Sequence, residues 1–167
     1  MSKTHFRSKR RVARKPCGLL AVFGLFAIVT TAHPALAALG GDIASIQADQ
    51  LHMQGTLRTS AAASYSVHEI QSPAGTVVRE YVSSAGKVFA ITWQGQWPPD
   101  MRQLLGSYFE QYAQATKAQS SARLGRRPLE IEQPGLVVQM GGHPRSFRGR
   151  AYVPDLLPSG VAAEAIR

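Results

Sequence analysis

SYSVHEIQSPAGTVVREYVSSAGKVFAITWQ, Ser64 to Gln94, writes nearly the same phrase twice: SPAGTVV from Ser72 and SSAGKVF from Ser83. Around each phrase the residues run in the short, β-branched and aromatic segments typical of strands. In both phrases the residues after serine read x-Ala-Gly. A three-residue hairpin loop is typically a type I turn closed by one left-handed residue, and glycine suits that place because it lacks a Cβ. Gly75 and Gly86 take this role. Pro73 fits the first central turn position, where φ of about −65° is wanted. Two successive hairpins follow, with Ser72 opposite Thr76 and Ser83 opposite Lys87.

Charge tests this register. It sets Glu69 against Arg79, His68 against Glu80, Val67 against Tyr81, Ile70 against Val78 and Tyr81 against Phe89. Such cross-strand pairs contribute roughly 0.2–1 kcal/mol each. A slip of one residue would face Val67 with Glu80, so the first register is favoured. The expected unit is a three-stranded meander over about 64–71, 76–83 and 87–94. One face would carry Tyr65, Val67, Val77, Tyr81, Phe89, Ile91 and Trp93. The other would carry His68, Ile70, Val78, Val82, Val88 and Ala90. Neither face is plainly polar, which points to a sheet covered at least in part on both sides.

WPPDMRQLLGSYFEQYAQATKAQ follows, from Trp97. Asp100 with Gln103 makes a capping-box pattern, and Met101, Leu104, Leu105, Tyr108, Tyr112 and Ala115 share one face at helical spacing. This predicts a helix from Asp100 to about Lys117 or Ala118, its stripe packed on the sheet. After the basic stretch SSARLGRRP, three more strands are expected in LEIE, LVVQM and RSFRGRAYV. Pro134-Gly135 supplies a type II turn between the first two, and Gly141-Gly142 breaks the next pair. Upstream, Asp42 caps a short helix through Met53 that ends at Gly55, and Thr56–Ala63 reads as a flexible connection. SGVAAEAIR ends as a short helix. The fold class is α+β: a small antiparallel sheet of two three-stranded meanders, with one amphipathic helix between them packed on the sheet. The expected divisions are a signal peptide over 1–37, a short helix and linker over 38–63, and a single α+β domain over 64–167.

The formal charge of +9 overstates the basicity of that domain. Lys3, Arg7, Lys9, Arg10, Arg11, Arg14 and Lys15 precede the apolar run CGLLAVFGLFAIV, and TTAHPALA ends in small residues at Ala35 and Ala37. That order is an export signal, and the run is shorter than the roughly 20 apolar residues of a membrane span. Cleavage after Ala37 leaves 12 cations against 10 acids, a net charge of +2. It also removes Cys17, the only cysteine, so the mature chain has no thiol or disulfide chemistry, which suits an oxidising periplasm. No transmembrane span is expected after cleavage. Arg10-Arg11 is followed by VARK rather than by the apolar residues of a twin-arginine signal.

Catalytic signatures are sparse. The sequence has no G-x-S-x-G, P-loop, dinucleotide fingerprint or H-E-x-x-H. His52, His68 and His143 fall on three different elements, so no metal or cofactor is expected. His68 opposite Glu80 has the form of an orienting pair for a general base, with no nucleophile indicated beside it. Two other features suggest binding. Trp93 and Trp97 bracket QGQ at a strand-to-helix corner, where two amphipathic rings can wall a carbohydrate or peptide site. Arg123, Arg126, Arg127, Arg145, Arg148 and Arg150 stand against only Glu130 and Glu132 between positions 123 and 150. Arginine suits paired contacts to phosphate or carboxylate. Strand alternation puts Arg148 and Arg150 on one face, with Tyr152; Arg145 points the other way unless Gly149 sits in a bulge. The candidate ligand-binding residues are therefore Arg145, Arg148, Arg150, Trp93 and Trp97, with no catalytic residue assigned.

ALGGD, SYSVHEI, SPAGTVVREYVSSAGKVFAITWQG, PDMRQLLGSYFEQY and GRAYVPDLLPSGV together resemble a family of short exported proteins of Gram-negative bacteria, domain-of-unknown-function family 2844. The resemblance covers most of Ala38 to Ile166. It implies a secreted single-domain protein and carries no catalytic residues. Three readings follow. The first is a non-enzymatic periplasmic or secreted module that binds a partner: an anionic envelope polymer, a lipid headgroup or another exported protein. The second is a hydrolase or transferase acting on envelope material, and the third a structural accessory protein. Nucleic acid does not suit an exported protein of this mild charge. The export reading predicts a mature protein beginning at Ala38. Intact-mass measurement on the envelope fraction should find that species; a full-length chain held in the inner membrane would contradict it.

Overall fold

Ser72 N–H donates to the Thr76 carbonyl at 2.9 Å, and Ser83 N–H to that of Lys87 at 2.9 Å, so both glycine turns close as their sequence requires. Gly75 and Gly86 have φ of 81° and 75°. The computed structural model describes residues 39–120 and 128–167; residues 1–38, with the expected signal peptide, and 121–127 of the basic stretch lie outside the described residues. Strands β2 (Tyr65–Gln71) and β3 (Val77–Ser83) pair in the charge-tested register, with Glu69 opposite Arg79, His68 opposite Glu80 and Ile70 opposite Val78.

The next hairpin departs from simple alternation. In β4 (Val88–Gly95), Val88 faces Val82 but Ala90 faces Tyr81, so Phe89 is an inserted residue. The expected Tyr81–Phe89 pair is replaced by a β-bulge, which places two residues of one strand against one of its neighbour. Every side chain beyond it changes side. Ile91 and Trp93 join Ile70, Val78, Val82 and Val88 in the larger core, while Ala90 and Phe89 join Tyr81 in a smaller one. Phe89 meets Tyr65 edge-on at 5.8 Å. A lost ladder hydrogen bond costs about 0.5–1.5 kcal/mol net. Burying Ile91 alone contributes about 1.5–3 kcal/mol, and the larger Trp93 adds to it, so burial outweighs the irregularity.

The sheet has seven strands in the order β1-β2-β3-β4-β7-β6-β5, all neighbours antiparallel. The first meander thus has four strands rather than three. Thr56–Ala61, expected as a connection, is the edge strand β1, with Arg58 opposite Glu69. It pairs with β2 along its whole length rather than running as a flexible connection. In the second meander, β5 (Leu129–Gln133) and β6 (Leu136–His143) turn at Pro134-Gly135. Gly141-Gly142 does not break the next pair. Both glycines lie inside β6 opposite Arg148 and Phe147, and the turn to β7 (Ser146–Tyr152) is made by Pro144 and Arg145. β7 pairs with β4 from Gly95↔Phe147 to Ala90↔Tyr152, joining the two meanders.

Helix α1 (Ile43–Met53) starts where Asp42 accepts from the Ala44 N–H at 3.0 Å. The helix expected after Asp100 is interrupted. α2 (Met101–Leu105) ends at Gly106, whose φ of 48° and ψ of −116° are outside helical values; one 3₁₀ turn follows, then α3 (Phe109–Ser120). Asp100 caps α2 through the N–H groups of Arg102 and Gln103, a contribution of about 1 kcal/mol. The Gln103 side chain does not complete a capping box; it donates to Asp49 of α1 at 2.6 Å. Leu104 and Leu105 are buried in the larger core, and Met101, Tyr108, Tyr112 and Ala115 pack against it. Along α3, Gln119 donates to the Glu130 carbonyl at 2.7 Å and Gln111 to that of Pro134 at 3.0 Å, which occupies backbone acceptors of β5. The opposite sheet face is crossed by residues 153–167. There Ile166 is buried against Tyr81, Phe89 and Ala90, and the Tyr81 hydroxyl bonds both the N–H and the carbonyl of Arg167. The short helix expected at the end is a single 3₁₀ turn, Ala163–Ala165.

Candidate functional site

The bulge and the β4–β7 pairing bring one residue from every strand into a single transverse row. Arg58, Glu69, Arg79, Thr92, Arg150, Gln139 and Glu130 stand opposite one another in turn, on the face away from the larger core. Much of the row is bonded along its length. Arg79 Nε donates to Glu69 Oε2 at 2.8 Å. Arg150 Nε donates to Gln139 Oε1 at 2.7 Å, and Gln139 Nε2 to Glu130 Oε1 at 2.6 Å. Arg150 Nη1 also donates to the Ala163 carbonyl at 2.7 Å, which ties the row to the crossing segment. The break lies at the centre. Thr92 is 5% exposed and its hydroxyl has no hydrogen-bond partner among the described residues, although it stands between two arginines. A buried hydroxyl left unpaired costs about 1–3 kcal/mol, so such groups tend to mark places where a further partner binds.

A cleft of about 650 Å³ opens over this centre. Arg79, Arg148, Arg150 and Arg167 line it, with Glu130 the one acid; Thr92, Gln94 and Gln139 supply neutral polar groups. Arg148 is opposite Gln94 and makes no hydrogen bond or ion pair among the described residues. Gly141 and Gly149 also line the cleft. Gly149 is demanded from the other side: a Cβ there would stand 2.4 Å from Cζ2 of Trp93. Guanidinium groups so placed present paired N–H donors to carboxylate or phosphate oxygens.

Arg148 and Arg150 therefore share the cleft. Arg145 is exposed at the β6–β7 turn with φ of 68°, and Gly149 sits in regular pairing rather than in a bulge. Trp93 and Trp97 do not wall a common site: Trp93 borders the cleft from the larger core at 2% exposure, and Trp97, 65% exposed, lies outside its lining. Arg123, Arg126 and Arg127 lie outside the described residues. Sequence reasoning missed Arg79, Thr92, Gln139 and Arg167. Arg79 was in view through its pairing with Glu69, but its approach to Arg150 depends on β4 standing between β3 and β7.

A second polar cluster lies on the helix side. Asp49 of α1 and Glu80 of β3 are both fully buried. The two carboxyls are electrostatically coupled, yet neither Glu80 oxygen has a hydrogen-bond partner among the described residues; Gln103 donates to Asp49 Oδ1 at 2.6 Å. Burial, then the negative charge of Asp49, holds Glu80 well above the usual carboxylate range, which favours its neutral form. His52 and Asp100 act on Asp49 with opposite signs. His68, across the strands from Glu80, does not bond it; its ring nitrogens meet the Thr59 and Ser66 hydroxyls, each at 3.1 Å. Burial lowers the His68 pKa. Among the described residues no group of three or more His, Cys, Asp or Glu is placed to hold a metal ion.

An antiparallel seven-stranded sheet with helices on one face and an arginine cleft on the other defines an α+β domain. The chain belongs to the family described as "Protein of unknown function (DUF2844)", whose model matches residues 35–166. No curated protein and no solved structure matches the chain. Among the described residues no helix is long and apolar enough to cross a membrane.

The buried acid pair sets a pH dependence. Because the folded-state pKa of Glu80 is raised, its contribution to stability is complete below the ordinary carboxylate range and is lost as pH rises through the elevated value. His68 acts oppositely, its protonation opposing the fold as pH falls. Comparing wild type with Glu80→Gln isolates the acid, since the amide can donate to Asp49 without titrating. The variant should gain stability relative to wild type as pH rises from acid to alkaline, read from denaturant midpoints. A difference independent of pH would contradict the raised pKa of Glu80.

Proposed function

We propose that this protein is a non-enzymatic, exported binding module whose cleft holds an anionic envelope component. The observation that carries the reading is the interrupted row: an unpartnered Thr92 hydroxyl flanked by Arg79 and Arg150, with Arg148 close by. A ligand oxygen in the cleft above that point would accept from the guanidinium donors that line it. Four arginines against one acid in the lining favour a carboxylate or phosphate over a neutral ligand. His68 contacts the Thr59 and Ser66 hydroxyls on the sheet face opposite the arginine row, so that polar group is no part of the cleft.

The test compares wild type with Arg79→Gln/Arg148→Gln, which leaves the Arg150 bond to Ala163 intact. Binding to polygalacturonate, inorganic phosphate and phosphatidylglycerol vesicles is measured at low and high salt. Wild type should bind at least one of these in a salt-sensitive way, because exposed charges are screened over about 8 Å at physiological ionic strength. A charged hydrogen bond contributes about 1.5–3 kcal/mol, so the double variant should bind at least tenfold more weakly, with stability lowered only by the loss of the Arg79–Glu69 pair. No binding to any probe, or equal binding by both proteins, would overturn the proposal.

A further inference from the structure

The cleft does not end at Arg148. A second hollow of about 360 Å³ shares Gln94 and Arg148 with it and continues past Gln96 and Ser146 to Arg145. The two hollows adjoin at Gln94 and Arg148 beside β4 and β7, with Leu129, Met140 and Ile166 adding apolar lining to the first. From Arg150 to Arg145 the track they make follows five residues, roughly 17 Å of strand. Arg150, Arg148 and Arg145 mark its beginning, middle and end. Arg148 and Arg145 are exposed and make no ion pair among the described residues.

We infer that the ligand is an elongated acidic polysaccharide, laid along this track with successive carboxylates at the Arg79–Arg150 centre, at Arg148 and at Arg145. The inference rests on the anion-binding reading and adds the length and chemistry of the ligand. Length follows from the continuity of the two hollows, since a single small anion would use only the Thr92 centre. Chemistry follows from what lies between the cations. Gln94 and Gln96 carry amides, which both donate and accept, and Ser146 carries a hydroxyl. A sugar chain offers hydroxyl donors and acceptors between its carboxylates, whereas an ionised polyphosphate offers acceptors alone and would leave the amide oxygens unused. Arg145 stands at φ of 68°, a conformation uncommon outside glycine, at the turn that ends the track.

The test uses galacturonate oligomers of one, two, four and eight units, and polyphosphate of matched charge, with wild type and Arg145→Gln. Arg145 is exposed and hydrogen-bonds no other described residue, so the substitution should leave the melting temperature unchanged. Wild-type affinity should rise by at least tenfold from the single unit to the longest oligomer. Arg145→Gln should lose about tenfold on the longest oligomer and nothing on the single unit. Affinity independent of length, or an Arg145→Gln loss equal at every length, would overturn the track while leaving the single-anion site standing. Polyphosphate binding as tightly as the octamer would overturn the glycan assignment. Binding of none of these probes would overturn the track and, with the vesicle and phosphate results, the anion site itself.

Discussion

One inserted residue decides which side chains meet on each face of this sheet. Phe89 occupies a bulge between β3 and β4, so residues before and after it obey opposite alternation. Without it, Ile91 and Trp93 would face the side that carries the arginines, and Thr92 would face the helices. With it, the helix side receives a large aromatic and a branched aliphatic group, and the other side receives a hydroxyl between two cations. The same bulge leaves Phe89 itself against Tyr65 and Tyr81, where it forms the base on which residues 153–167 lie.

The glycine at position 149 belongs to the same arrangement. Trp93 turned toward the helix side lies directly against Gly149, and a side chain there would collide with the indole and with the Gln139 carbonyl. β7 is thereby held in a register that aligns Arg150 with Thr92 and Arg148 with Gln94. The crossing segment then fixes Arg150 through Ala163 and brings Arg167 to the rim. Core packing on one face thus positions the charged groups of the other, which explains why an open strand surface carries ordered arginines rather than a scatter of solvated charge.

Much of the local structure was legible in the sequence. The doubled turn and the Glu69–Arg79 pair determined the β2–β3 register, and Asp42 and Asp100 located two helix starts. What was not legible has physical causes. The bulge leaves no local signature, because Val88-Phe89-Ala90-Ile91 is apolar throughout and fits either alternation. β1 reads as a connection because an edge strand buries little: in TLRTSA only Leu57 packs against the core, although the charge test carried one strand further back would have paired Arg58 with Glu69. Gly106 was visible inside the helical stripe, but the stripe continues across it. Of the candidate site, Arg148 and Arg150 were legible from alternation alone. Arg79 and Thr92 were not, since their meeting with Arg150 requires the long-range pairing of β4 with β7. Glu80 was seen as a partner for His68; its true partner, Asp49, comes from a helix far away in sequence.

The most direct test of the bulge is the environment of Trp93. The chain contains two tryptophans, so Trp97→Phe leaves Trp93 as the sole emitter and Trp93→Phe leaves the exposed Trp97 as an internal reference. The account predicts that Trp93 emits at shorter wavelength than Trp97 and resists quenching by acrylamide, as an indole 2% exposed should. Quenching of Trp93 as readily as of Trp97 would place its ring in the arginine cleft, and would contradict both the bulge and the row of side chains that depends on it.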